Sequence, residues 1–357
     1  LQAWLPREPA AHAQALDAVL QHEATRCAYM YRLGDAAQAA TGYLQSNTGY
    51  RFSALQAGWV SFGAGGARAQ GWRSTRLFAR ALEPSGSNSE AVDAFYSGRV
   101  RSECGVGRQI AQLATQRELY GDAAFDTEFA PGELTIGTFM ALHDSDSILL
   151  GRNAGTLHGD GLAVRASALG RQAFAGVPGF IVPVLGVPFI DDGANQAENF
   201  IIVRVDAEAA EALQRHGGLA WYNARNVAVQ ALATQLAGDG RRRFERLLLE
   251  REPELRATLS PAQQRVLSQL DDLLDDPFYR GVHLYVHPLG TRTVGDHIVR
   301  LIDRNPRTPF AVELARHNLH DGLFRRWMAA RLQACAAATH AALPADATPR
   351  LPGRRHP

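Results

Sequence analysis

Apolar residues recur at helical spacing through the Ala-rich stretch from Glu8 to Leu33, and Gly34 offers a stop, so a first helix is expected there. From Tyr50 to Phe78 the pattern changes. Aromatic residues mix with small ones and with Gly58, Gly63, Gly65, Gly66 and Gly71, which predicts short strands joined by tight turns. The run from Gly63 to Gly66 is not a phosphate loop, because it lacks the lysine and the following helix that would supply a cation and a dipole. The polar stretch Glu83-Pro-Ser-Gly-Ser-Asn-Ser-Glu90 reads as a linker before a helix starting near Ser89, whose hydroxyl can cap the first amides, and Gly98 breaks that helix. A second helical pattern runs from Cys104 to Tyr120, with Ile110, Leu113 and Ala114 on one side and Arg108, Gln112 and Arg117 on another.

Between Phe129 and Phe200 short apolar runs, Leu134 to Leu142, Ser147 to Leu150, Gly179 to Leu185 and then Phe200 to Val205, are separated by Gly, Asp and Asn and predict strands. Beyond Asp206 the chain turns rich in Ala, Leu, Arg and Glu. Helices are expected over Val227–Ala237, Arg241–Glu250, Pro261–Leu274 and Leu323–Ala342, with a loose tail after them. The fold class this predicts is α+β: Cys104 heads a central helix on a mostly antiparallel sheet, Glu198 stands on a facing strand, and helices from the last third flank the core. Residues 1–80 form an N-terminal helix and short strands packed on a core of residues 81–222, followed by a helical accessory region, 223–345, and the tail, 346–357.

Composition narrows the function. With 46% hydrophobic residues, 20% charged and a net charge of +1, nothing points to nucleic acid or an anionic membrane. The most apolar stretch, Phe174 to Ile190, is shorter than the ~20 residues a membrane helix needs and is cut by Pro178, Pro183 and Pro188. No membrane insertion is expected. The chain begins at Leu1 without a basic n-region or methionine and reads as a processed or excised fragment, which leaves location open between secretion, delivery into another cell and the cytoplasm. All 37 basic residues besides histidine are arginine. Codon bias in a GC-rich genome is one cause. Reduced self-crosslinking by an enzyme that joins glutamine to lysine, or escape from lysine-directed modification in a foreign cytoplasm, are two others.

Cys27, Cys104 and Cys335 are too few and too scattered for a disulfide framework or a zinc site. Cys27 lies in a helical pattern and Cys335 among alanines, so both read as core fillers. Cys104 differs. A thiol attacks an amide as its thiolate, and a helix start lowers thiol pKa through its partial positive charge. Gly105 and Gly107 leave room for a substrate backbone, and an amide of the first turn can hold an oxyanion.

A base must then accept the thiol proton and return it to the leaving group. Glu198, just ahead of Phe200-Ile-Ile-Val203, would stand at the mouth of a buried strand, where desolvation raises a carboxyl pKa. His158, in Gly155-Thr-Leu-His-Gly-Asp160, and His216, before Gly217 and Gly218, are alternatives; His216 reads better as a helix C-terminus. Val282-His-Leu-Tyr-Val-His287 has His-x-x-x-His spacing but no glutamate partner, so His283, His287 and His297 are read as structural. Neither a metal nor a cofactor is expected.

Together these segments resemble the spore-coat type of bacterial protein-glutamine γ-glutamyltransferase, a compact transglutaminase with a papain-like or NlpC/P60-like core. Ser89-Glu-Ala-Val92, then Gly98, Glu103-Cys104, Tyr120-Gly121 and Phe125-Asp126 are similar to that family's nucleophile segment. Glu198-Asn199-Phe-Ile-Ile-Val203 and His216-Gly217 are similar to its second catalytic segment and its His-Gly pair. The resemblance spans residues 85–220 and implies a Cys104 and Glu198 dyad, with Glu103 able to assist and Asn199 and His216 in support. It further implies that Cys104 forms a thioester with a protein glutamine, which an amine such as lysine, or water, then resolves. A papain-like peptidase or amidase using a histidine base, and a non-catalytic module of a secreted assembly, are the rival readings.

Overall fold

A computed structural model of the chain describes residues 18, 22–52, 69–75, 81–102, 104–137, 147–149, 155–157, 178–183, 198–287, 289–304, 306, 309–316, 323–324 and 326–332. The elements run in the order α1 (Glu23–Ser46), β1 (Tyr50–Phe52), β2 (Trp72–Ser74), β3 (Leu82–Pro84), α2 (Asn88–Ser97), β4 (Val100–Ser102), α3 (Cys104–Tyr120), α4 (Asp122–Glu128), β5 (Gly155–Leu157), β6 (Pro178–Pro183) and β7 (Glu198–Val205). There follow α5 (Ala207–Arg215), α6 (Leu219–Gln235), α7 (Pro253–Ala257), α8 (Pro261–Leu274), α9 (Pro277–Gly281), β8 (Val282–Val286), β9 (Gly290–Thr293), α10 (Val294–Arg304) and β10 (Phe310–Arg316). The fold is α+β.

Its centre is a six-stranded sheet in the order β5-β10-β6-β7-β8-β9, in which every neighbouring pair is antiparallel. Strand β7 is apolar at every position from Phe200 to Val203, so it needs cover on both faces. It receives it. Ile201 and Val203, with Tyr285 of β8, pack against Ala37, Ala40 and Leu44 of α1 and Val106, Ile110 and Leu113 of α3. Phe200, Ile202 and Val205 face the other way, into a larger core built with α5, α6 and α8 to α10. Helix α3 is thus a buried element between α1 and the sheet, and Ile110, Ala111, Leu113 and Ala114 are all fully buried.

Several expectations need correction. The first helix does not stop at Gly34 but continues to Ser46. A mid-helix glycine costs only about 1 kcal/mol, and burial of Leu33, Ala36, Ala37, Ala40 and Leu44 outweighs it. Asn47 ends the helix instead: its side-chain amide donates to the carbonyls of Phe95 and Gly98 at 2.7 and 2.9 Å and its carbonyl oxygen accepts from Gly49 N–H. Helix α2 is capped by Ser87, which accepts from Glu90 N–H, while Ser89 serves as an anchor: its amide and hydroxyl both donate to the Asp126 carboxylate at 2.7 Å. The region expected to be a helical accessory also supplies β8, β9 and β10, so strands from both sides of residue 222 share one sheet. The tail and the run around Gly63 lie outside the described residues.

Because Leu113 is fully buried between helix and sheet, Leu113→Ala should lower unfolding free energy by about 2–5 kcal/mol in urea denaturation. Val227→Ala, at a position 45% exposed, should stay within about 0.5 kcal/mol of the parent chain.

Candidate active site

Cys104 is the first residue of the 17-residue helix α3, which follows β4 after a single intervening residue. Strand β4 lies parallel to β1, with Tyr50 opposite Val100 and Phe52 opposite Ser102. The Tyr50 hydroxyl and the Ser102 hydroxyl are 2.8 Å apart, and Ser102 is fully buried. That contact fixes the strand that delivers Cys104 to its helix.

The direction of α3 relative to the sheet follows from one glycine. A Cβ on Gly107 would come within 2.6 Å of His287 Cβ and 3.2 Å of its Cδ2, so the first turn of α3 lies directly on that imidazole. His287 immediately follows β8, and in the β7–β8 ladder Ile201 stands opposite Tyr285. Because the two strands are antiparallel, the end of β8 that leads to His287 lies beside the start of β7, where Glu198 and Asn199 stand. The beginning of α3 and the beginning of β7 therefore meet at the same end of the sheet, with Cys104 opening one and Glu198 the other. Strand alternation puts Asn199 on the α3 side with Ile201 and Val203. Of Cys104 and Glu198 the structure describes the main chain; Glu103 and His158 lie outside the described residues.

His287, read from the sequence as structural, is the histidine that the fold sets beside the start of α3. It is 3% exposed and stacks on Tyr50, with ring centroids 3.8 Å apart and planes 20° from parallel, while Phe52 approaches at 6.4 Å. Burial holds its pKa down at about 4, opposed by a hydrogen bond to the backbone of Arg51. Its Nε2 has no partner among the described residues, so Nδ1 makes the Arg51 bond. A backbone bond that favours protonation is a donation to the carbonyl. The neutral ring therefore carries its proton on Nδ1 and leaves a lone pair on Nε2. The space beside Gly107, expected to admit a substrate backbone, is filled by this ring. The available signal was weak: a histidine just past an alternating apolar run.

The other candidates separate. His216 is the C-cap of α5, as expected, and stacks on Trp221 at 3.8 Å. It belongs with Tyr222 to the layer on the far face of the sheet from α3, so the structure does not bring it to Cys104. His283 Nε2 is 2.7 Å from Arg204 and 3.2 Å from Asp206, a pairing along the sheet. His297 is fully buried in α10. Among the described residues no group of three histidines, cysteines or acids is placed to hold a metal. No described helix is long and apolar enough to cross a membrane.

Two outcomes test this geometry. Gly107→Ala must displace the His287 ring or the helix and should destabilise the fold by about 1–3 kcal/mol in urea. The second concerns pH. In the unfolded chain histidine titrates near 6.5, in the fold His287 near 4, so between those values the unfolded state binds more protons. Its contribution to stability is complete above pH 6.5 and is lost as pH falls toward 4, by up to about 3 kcal/mol. Urea midpoints of the parent and of His287→Gln should converge on acidification over that window, and a pH-independent gap would contradict the assignment.

Compared with known protein families, with curated proteins and with solved structures, the chain finds no match in any of the three.

Proposed function

We propose that the chain is a thiol acyltransferase of transglutaminase type, on a papain-like core, that acts on the side-chain amide of protein glutamine through Cys104. The observation that carries this reading is that Cys104 opens a buried helix whose first turn meets the end of the sheet where Glu198 and Asn199 begin β7. A helix start favours the thiolate and the anionic intermediate that forms as sulfur attacks a carbonyl. The order of the segments adds support, since Ser89 and Asp126, both in the stretch similar to the spore-coat enzymes, are hydrogen-bonded to each other.

The chemistry runs in two halves. Cys104 attacks the glutamine carboxamide, ammonia leaves, and a thioester remains. A lysine amine then gives an isopeptide bond, or water gives glutamate. The proton that leaves the thiol and reaches ammonia needs a carrier at this end of the sheet, where Glu198 opens β7 and His287 follows β8. A histidine-based peptidase working through His216 is disfavoured by the sheet that separates that ring from α3.

Incubation of a glutamine-donor protein with the chain and a small primary amine, followed by intact mass spectrometry, tests the reading. The expected product is donor plus amine minus ammonia, or the one-dalton gain of deamidation, and both should vanish in Cys104→Ala. A donor of unchanged mass with the parent chain, across a panel of glutamine proteins, would reject it.

A further inference from the structure

We infer that His287 is the base that takes the Cys104 thiol proton and hands it to the leaving nitrogen. The inference deepens the acyl-transfer reading and rests on Cys104 being its nucleophile. Four observations converge on this ring. Its Nε2 is buried and has no hydrogen-bond partner among the described residues, although buried polar atoms are ordinarily paired. The bond from Nδ1–H to the Arg51 carbonyl sets the tautomer that leaves the Nε2 lone pair open. His287 Cβ, Cγ and Cδ2, the last bonded to Nε2, lie against Gly107, one helical turn after Cys104 on the same side of α3. Tyr50 stacks on the ring while its hydroxyl meets Ser102, two residues before Cys104, so one aromatic side chain holds imidazole and nucleophile segment in a common frame.

A histidine that only filled space would not need an open nitrogen buried beside the first turn of a helix headed by a thiol. Burial also keeps the ring neutral near pH 7, which is the state in which it accepts a proton. Tyr50 is the titratable side chain that contacts it, and Arg51 reaches it through its main chain alone.

The step balances without another reactant. As the sulfur–carbon bond forms, the thiol proton passes to Nε2. As the carbon–nitrogen bond breaks, the imidazolium gives that proton to the departing nitrogen, which leaves as ammonia, and a thioester remains beside a neutral ring. In the second half an attacking amine or water gives its proton to Nε2 as its bond to carbon forms. That proton returns to sulfur as the carbon–sulfur bond breaks.

The test uses the glutamine-donor assay with single-turnover ammonia release. His287→Ala should slow thioester formation by about 10²–10⁴-fold, and added imidazole should restore part of the rate, which a merely structural residue would not allow. His216→Gln, across the sheet, should react at the parent rate. Release from His287→Ala within tenfold of the parent would overturn the inference while leaving Cys104 in place; a silent parent chain would overturn the acyl-transfer reading itself. Because His287→Ala removes a buried ring, a measurement on the parent chain stands beside it. Nitrogen chemical shifts of His287 should show a neutral ring protonated at Nδ1, and protonation at Nε2 would overturn the assignment whatever the variants do.

Discussion

A strand that is apolar on both faces has to be covered twice, and the rest of this structure is arranged around that requirement at β7. Each large apolar side chain withdrawn from water there is worth about 1.5–3 kcal/mol, and Phe200, Ile201, Ile202 and Val203 are all essentially buried. The two covers differ. One is the pair α1 and α3, which brings Cys104; the other is the larger helical layer from α5 onward. The sheet therefore sorts the molecule into a face that carries the start of α3, with Cys104, and a face built on the later helices. His216 and His287, equivalent as bare histidines in the sequence, fall on opposite sides of that division.

Much of the site face was legible from local pattern. Helix α3 is found where periodicity placed it, from Cys104 to Tyr120, because a helix buried on most sides shows its apolar rows and its start together. Strand β7 was equally plain, since four consecutive apolar residues after a carboxylate and an amide leave little alternative. The failures share a cause. Gly34 looked like a stop because local propensity disfavours glycine, yet tertiary burial of α1 decided the matter. The last third looked helical because its helices are long and its strands short, and no local signal says that Val282–Val286 pairs with Ile201–Val205 across some 80 intervening residues. The surroundings of His287 are hidden for the same reason: its neighbours are set by strand pairing and by Gly107, neither visible in a linear window.

The absence of lysine has a structural counterpart. Arg256 donates to both carboxylate oxygens of Asp271 at 2.8 Å and also to the Leu247 carbonyl, Arg246 grips both oxygens of Glu252, and Arg326 joins Glu128 to Glu133. These are fork contacts made by a planar five-donor group, a rigid bidentate geometry that the point charge of an ammonium does not offer. An all-arginine chain is thus put to use in its folds and turns, whatever bias in composition produced it. The contacts also sit at the periphery, where partly solvated pairs contribute little each.

That distribution of charge bears on the chemistry at the other end of the sheet. Around His287 the described surroundings are aromatic rings, main chain and a glycine, with no carboxylate or guanidinium among the causes that set its protonation. On the proposed reading the imidazole rests neutral, and the helix start stabilises the anion that develops as sulfur attacks. On that reading the burial that keeps the imidazole neutral would also limit water at the thioester, which favours an amine over hydrolysis as the second reactant.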